Sequence, residues 1–375
     1  MTDRTTTCGG AGSLLEKARE ELWLAVRARD EGTAEQVVFG ALDAGVGAED
    51  VLLDIIVPVQ RRVGAEWAAA RFSVAQEHAA TAIHERIIAA MARRAPVAEP
   101  HGTPVTVTVA CVDGEWHALP ARLLAEVLRQ RGYGVDFLGS QVPTPNLIAH
   151  LHRTTPDALA LSSSIPTRLP NAHAAVTAAR AIGVPVLVGG AAFGADGRHA
   201  RRLGADAWAP DARAAAAVLD RGLPRPAATA VRESHEDLPH LADQEYTLVS
   251  RNKRRLVRAI LDGLELRLPD MRGYTETQRE RTAEDLAHIV DFLATALYTD
   301  DLSVFTDFLD WTGKILEARG VPARSVDPGL ALLQDELKDF PRALAVLARG
   351  RAALAGSRQE PEGLRSGGPT RVPER

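Results

Sequence analysis

Two histidines stand where an imidazole could take a metal. His117 follows Glu115 by two residues in Cys111-Val-Asp-Gly-Glu115-Trp-His117-Ala-Leu-Pro120, between an apolar β-branched run and an amphipathic helix. At the carboxyl end of a strand in a doubly wound sheet, such a loop lines the ligand crevice. A carboxylate that accepts from one ring nitrogen fixes the tautomer and raises the basicity of the other, so Glu115 is the candidate partner of His117. A plain loop histidine would satisfy the same spacing equally well. His78 directly follows Glu77 at a helix start, and Trp67 stands before the pair with nine residues between. Taken alone, these three fit a core tryptophan and surface polar residues.

Small residues close the other strands at the same edge: Gly139-Ser140, Ser162-Ser163-Ser164 and Gly189-Gly190. They would admit a bulky group between the loops. Farther on, His288, Tyr298, an aromatic stripe containing Trp311 and the run Arg251-Asn-Lys253-Arg254-Arg255 could hold a tetrapyrrole, with arginines paired to its propionates. Core packing and a solvated helix face explain the same residues without a ligand. His84 lies six residues from His78, about 600° around a helix, so it points some 120° away and is structural. His101, His150, His152, His173, His199, His235 and His240 fall in linkers or on exposed helix faces, without a partner at metal-ligand spacing.

The elements that must position these groups follow from periodicity. Residues 13–93 carry apolar positions three and four apart, such as Leu14, Ala18 and Leu22, then Val51, Ile55 and Val59, then Ile83, Ile87 and Met91, which predicts a four-helix bundle. Gly45 to Gly47 separates its second and third helices, and Ser73 with Gln76 makes a capping box that starts the fourth near Val74. A proline-bearing linker spans 94–104. Over 105–222, β-branched runs at 105–110, 135–138, 158–162 and 184–190, and a short one at 207–210, alternate with helical stretches, which predicts a Rossmann-like parallel sheet. A linker at 223–239 leads to an all-helical unit at 240–355, with helices at 246–268, 275–298, 302–319 and 329–354. Residues 356–375 read as a disordered tail.

The composition is that of globular domains: 46% hydrophobic, 25% charged and a net charge of −5. Mild acidity argues against a chain devoted to nucleic acid. No stretch approaches the roughly 18 apolar residues of a membrane span, and the first residues lack the order of a secretion signal, so a cytoplasmic protein is expected. Cys8 and Cys111 are the only cysteines, which excludes a disulfide framework and a four-thiolate zinc site.

Glu-x-His after the first strand, serine after the third and Gly-Gly after the fourth resemble the cobalamin-binding domain, whose pattern is Asp-x-His-x-x-Gly, then Ser-x-Leu, then Gly-Gly. The resemblance implies that His117 replaces dimethylbenzimidazole beneath cobalt, with Glu115 as its partner, and that Ser162, Ser164, Gly189 and Gly190 surround the nucleotide tail. This chain departs from the pattern at Glu115, at Pro120 in place of glycine, and in having no leucine two residues after Ser162, Ser163 or Ser164. Proline suits the first turn of a helix. Trp67-x9-Glu77-His78 is similar to the signature of the cobalamin-dependent light-sensing repressors. There Trp and Glu pack around the upper 5′-deoxyadenosyl group, and the histidine can ligate cobalt after light breaks the Co–C bond. Only about twelve residues precede the bundle here, too few for a DNA-reading domain, so direct nucleic-acid binding is not expected.

A light-sensing cobalamin module followed by a helical unit resembles the photocobilins, which bind cobalamin together with a biliverdin-type bilin. That resemblance implies a globin-like C-terminal domain and a noncovalent biliverdin or related linear tetrapyrrole, for which His288, Arg251, Arg254, Arg255 and Trp311 are the candidates from chemistry. The expectation is a photoreceptor without catalytic turnover, containing adenosylcobalamin and a bilin. Its further partners would be a second copy or a downstream signalling protein. Two alternatives stay open: a corrinoid methyl-carrier of a methyltransferase system, and a cobalamin sensor whose C-terminal helices only bind a protein partner.

Overall fold

The computed structural model describes residues 8–94, 105–226 and 238–356. Most of the two expected linkers and of the expected tail, with His101 and His235, lies outside the described residues.

The first unit is the expected bundle: α1 (Cys8–Ala28), α2 (Glu31–Asp43), α3 (48–68) and α4 (Val74–Arg94). Asp30 caps α2 by accepting from the Thr33 amide. Before α4 both arms of the capping box form, the Ser73 amide donating to Gln76 Oε1 at 2.8 Å and the Gln76 amide to Ser73 Oγ at 3.2 Å. Pro58 stands inside α3, where it cannot donate to the carbonyl four residues back. The helix answers with a π-wound stretch over Val51–Ile56, and Arg19 Nε donates to the Asp54 carbonyl that Pro58 leaves free. Leu22, Val38, Leu52, Ile55 and Ile88 are fully buried, and Leu119, Leu123 and Val127 from the next domain join the same cluster. The bundle therefore has no separate core; it is seated on the sheet domain.

That domain has β1 (Thr106–Cys111), β2 (Gly134–Gly139), β3 (Ala158–Ser162), β4 (Val186–Gly189) and β5 (Ala207–Ala209), all parallel, in the order β2-β1-β3-β4-β5. Its helices are α5 (Leu119–Gln130), α6 (Thr144–Thr154), α7 (Leu169–Ala181), α8 (Arg198–Arg202) and α9 (Ala212–Asp220). They cover both faces, which is why β3 reads as continuously apolar and is buried at every position. Strand order reverses between β1 and β3, so the loops after Cys111 and Ser162 flank the crevice of a doubly wound sheet.

The third unit contains α10 (Glu245–Arg251), α11 (Lys253–Arg267), α12 (Glu276–Thr299), α13 (Leu302–Ala318), α14 (Asp327–Glu336) and α15 (Pro341–Gly356). Two helices expected to be continuous are broken. Asn252 interrupts 246–268, its side-chain amide donating to the Leu248 carbonyl at 2.8 Å. Pro341 starts a new helix within 329–354, because proline disfavours helical geometry in the residue before it. The apolar stripe of α12 is core, with Phe292 stacked on Phe308 of α13 at 3.9 Å between centroids.

The last turn of α12 is where this unit meets the sheet. Three of its carbonyls, which lack helical donors, are served by side chains: Leu297 by Arg342 (2.7 Å), Tyr298 by His240 (2.9 Å) and Thr299 by Arg202. Asp301, the N-cap of α13, pairs with Arg198 (2.9 Å) and His199 (3.0 Å), while His173 meets the Tyr298 hydroxyl at 2.7 Å. His173, His199 and His240 are therefore not loose surface or linker groups, as expected from spacing, but parts of this junction. His199 is only 4% exposed.

Candidate functional site

A cleft of about 1250 Å³ opens between the bundle and the carboxyl edge of the sheet. Leu53, Gln60, Glu77 and His78 line it from α3 and α4, Trp116 and His117 from the loop after β1, and Ser162, Ser164, Gly189 and Gly190 from the ends of β3 and β4. The expected loop residues and the ends of β3 and β4 are thus brought together, whereas Gly139 and Ser140 at the end of β2 are not part of the lining.

His117 is held from behind by Glu115, whose side chain is fully buried. Glu115 Oε1 accepts from His117 Nδ1 at 2.6 Å and from the His117 amide at 3.0 Å. The other oxygen, Oε2, accepts from Ser163 Oγ (3.1 Å) and from the amides of Ser164 (2.7 Å) and Ile165 (3.1 Å). Burial alone would raise this carboxyl, but the donors from His117 and Ser164 outweigh it and hold it down at about 2. With Nδ1–H committed to a carboxylate, Nε2 of His117 is left with its lone pair. The role of Ser163 went unforeseen: Ser162 and Ser164 face the cleft, and the serine between them braces Glu115.

Gly190 has φ +100°, and a Cβ there would sit 2.2 Å from the Ser163 carbonyl oxygen. Only glycine fits, so the cleft floor and the brace under Glu115 share one backbone contact. Pro120 occupies the first turn of α5, as its type suggests.

On the bundle side, His78 Nδ1 donates to the Val74 carbonyl at 3.0 Å and lies 2.9 Å from Glu77 Oε2, which again leaves Nε2 free. The side chain is 60% exposed. Glu77 Oε1 accepts from Thr81 Oγ1 (2.8 Å), Thr81 accepts from Gln60 Nε2 (2.8 Å), and Gln60 Oε1 accepts from His84 Nδ1 (2.6 Å). His84 is completely buried, and burial pushes it down to about 4, so it is neutral. It stands off the cleft, as its angle on the helix predicts, and ends a chain that orients Glu77.

Three placements differ from expectation. Trp67 is not part of the cleft wall with Glu77 and His78: its ring meets Trp311 of α13 at 6.1 Å, and the Arg319 guanidinium lies 5.6 Å over it. The two tryptophans assigned to different pigments touch each other. Arg251, Arg254 and His288 are exposed, as is Arg255, which pairs with Glu336 at 2.9 Å, so these groups do not enclose a tetrapyrrole. Finally, Trp116 and Arg213 carry contacts that spacing did not reveal. Arg213 of α9 reaches Asp54 (2.6 Å), Asp50 (2.8 Å) and Glu49 (3.2 Å) of α3 and clasps bundle to sheet at the cleft rim.

The donors fit a metal that arrives inside a macrocycle. Among the described residues no three His, Cys, Asp or Glu side chains gather around one point. An ion taken by a single imidazole must bring its other ligands with it, and the cleft is large and has the Gly189-Gly190 pair in its lining.

Residues 105–219 and 18–91 each match a B12 binding domain family. Fold and site thus define a cobalamin-binding module, a helical cap on a parallel sheet. Among curated proteins the chain is similar to the HTH-type transcriptional repressor CarH of Myxococcus xanthus, 28% identical over 181 residues. That similarity covers 47% of this chain and 58% of CarH, so the chain spans little more than half of that relative. Among solved structures it is similar to the monomethylamine corrinoid protein of Methanosarcina barkeri (TM-score 0.47, 19% identity, 55% of this chain and 99% of that one). It is also similar to a cobalamin-binding protein of Desulfitobacterium hafniense DCB-2 (TM-score 0.31, 19% identity, 55% and 97%). Among the described residues no helix is long and apolar enough to cross a membrane.

Proposed function

We propose that the chain is a cobalamin-dependent photosensor without catalytic turnover, with adenosylcobalamin between bundle and sheet. The observation that carries this is the presence in one cleft of two imidazoles with free Nε2 atoms, one from each wall. His117, oriented by Glu115, would hold the metal; Ser162, Ser164, Gly189 and Gly190 would receive the tail; and Glu77 would face the group from the bundle wall. When bound, the cofactor supplies a metal–carbon bond that light can break. His78 would offer the metal a second imidazole from the bundle wall, and its engagement would favour a different spacing of the walls. Trp67 sits where that spacing meets the C-terminal unit, through Trp311 and Arg319. The same unit is joined to the sheet through Asp301 and His199, so it contacts both the bundle and the sheet. Light dependence is supported by the resemblance of the Trp67-x9-Glu77-His78 pattern to that of the light-sensing repressors.

A biliverdin-type second chromophore in 240–355 belongs to this proposal on resemblance alone, since His288 and the arginines are open to solvent. The output partner is proposed to be a protein or a second copy, reached through the C-terminal unit in the cytoplasm. The methyl-carrier alternative requires an upper face open to another enzyme. The test is reconstitution of the full chain with adenosylcobalamin in the dark, followed by illumination. A light-driven spectral change that persists in the dark is expected; an unchanged spectrum, with methyl transfer from methylcobalamin to an added methyltransferase, would replace the photosensor by the carrier. Biliverdin added in parallel should give a red band that survives gel filtration, and its loss there removes the second chromophore.

A further inference from the structure

Trp116 lies between the two candidate ligands. Its ring centroid is 3.8 Å from that of His117 with 28° between planes, and 6.3 Å from that of His78 with 23° between planes. The three rings are stacked like pages, yet the indole is 50% exposed, so it is not there to complete a core. An imidazole binds a metal through its ring edge, along the Nε2 lone pair, and a macrocycle around that metal stands across the edge, roughly perpendicular to the ring. An indole is wider than an imidazole, so one stacked on His117 extends beyond the imidazole's own edges. It also fills the gap through which His117 and His78 would have to face each other.

We infer that Trp116 holds the place of the corrin ring in the cofactor-free chain and sets the rate at which a corrinoid is admitted to His117. The inference rests on cobalamin binding in this cleft and adds a residue to it. Gly114, with φ +79°, begins the turn that carries Trp116, and the Arg168 guanidinium lies 3.1 Å from where a Cβ on Gly114 would sit. Movement of the indole is therefore a rotation of its side chain over a fixed turn, because Glu115 and His117 on either hand are pinned by hydrogen bonds. Binding-competent molecules are those in which the indole has swung out, and the apparent association rate is reduced by that fraction.

The test uses the full chain and hydroxocobalamin, mixed by stopped flow, with parent, Trp116→Ala, Trp116→Leu and His117→Ala proteins. Trp116→Ala and Trp116→Leu should associate about tenfold faster than the parent with little change in dissociation rate, the gain expected if the open fraction is roughly one in ten. In the cofactor-free state, the His117 ring-proton resonances should lose the ring-current shift of the indole in both Trp116 variants, a readout independent of any bound pigment. Equal association rates for parent and both variants, with all of them binding, would overturn the placeholder and leave the cobalamin site standing. Failure of the parent itself to bind would overturn the proposed function, and this inference with it.

Discussion

The two walls of the cleft present a histidine in the same way and hold it with different firmness. His117 stands on a loop where five donors converge on the buried Glu115 carboxylate. His78 stands in the first turns of a helix, 60% exposed, tied to its own helix's Val74 carbonyl and to Glu77. A ligand fixed before the metal arrives suits permanent coordination, since no ordering is left to be done. One that keeps its freedom suits conditional coordination. Ranking the two by what their loss does is the way to break this contrast.

The largest loss is expected from His117→Ala. Since even the hydrogen-bond partner of a metal-bound histidine is worth about 10–100-fold in affinity, removal of the ligand should weaken hydroxocobalamin binding by roughly a hundredfold or more in equilibrium dialysis. Next comes His84, on the same helix as His78 but completely buried. Its ordinary value of 6.5 falls to about 4 in the folded chain, so the unfolded chain takes up the proton first as pH drops. Stability present above pH 6.5 is then lost toward pH 4, by about 3 kcal/mol at 1.36 kcal/mol per unit. Denaturation at pH 7 and pH 4 should show that loss in the parent and much less of it in His84→Leu.

Glu115→Gln should cost about 10–100-fold in cobalamin affinity, because an amide cannot serve both the imidazole and the Ser164 and Ile165 donors. It should also flatten the acid limb between the ordinary carboxyl value of 4.5 and about 2, where the parent loses stability as the carboxylate takes up a proton. Unfolding at pH 3 and pH 6 measures this. The smallest effect is predicted for His78→Ala in the dark, less than about fivefold in affinity, the scale of an exposed pair. Its consequence should appear only after illumination, as a photoproduct that exchanges added imidazole freely.

The same contrast explains what could be read from sequence. Glu115 with His117, and Ser73 with Gln76, are contacts within three residues, so spacing alone reports them. The glycine pair after β4 was legible because a strand end that approaches another backbone tolerates no Cβ. Trp67 on Trp311 and His199 on Asp301 unite elements from different domains, and no period or spacing encodes them. Pro58 was visible as a residue, but its effect, a π-wound turn with Arg19 on the freed carbonyl, depends on where α1 packs. Trp116 looked like filler between two polar residues; only the closure of bundle over sheet places His78 on its other face.

Coordination by His117 is the central claim, and cobalt itself can report it. The chain is loaded with cob(II)alamin after growth on histidine carrying the heavier nitrogen isotope, and its electron paramagnetic resonance spectrum is compared with that of the unlabelled protein. The axial nitrogen splits the cobalt lines, and labelling changes that multiplet from triplet to doublet if the ligand is a histidine. The account predicts the change in the parent and in His78→Ala, and its absence in His117→Ala. A triplet unaffected by labelling in the parent would mean that the cofactor keeps its own base, and would contradict the account.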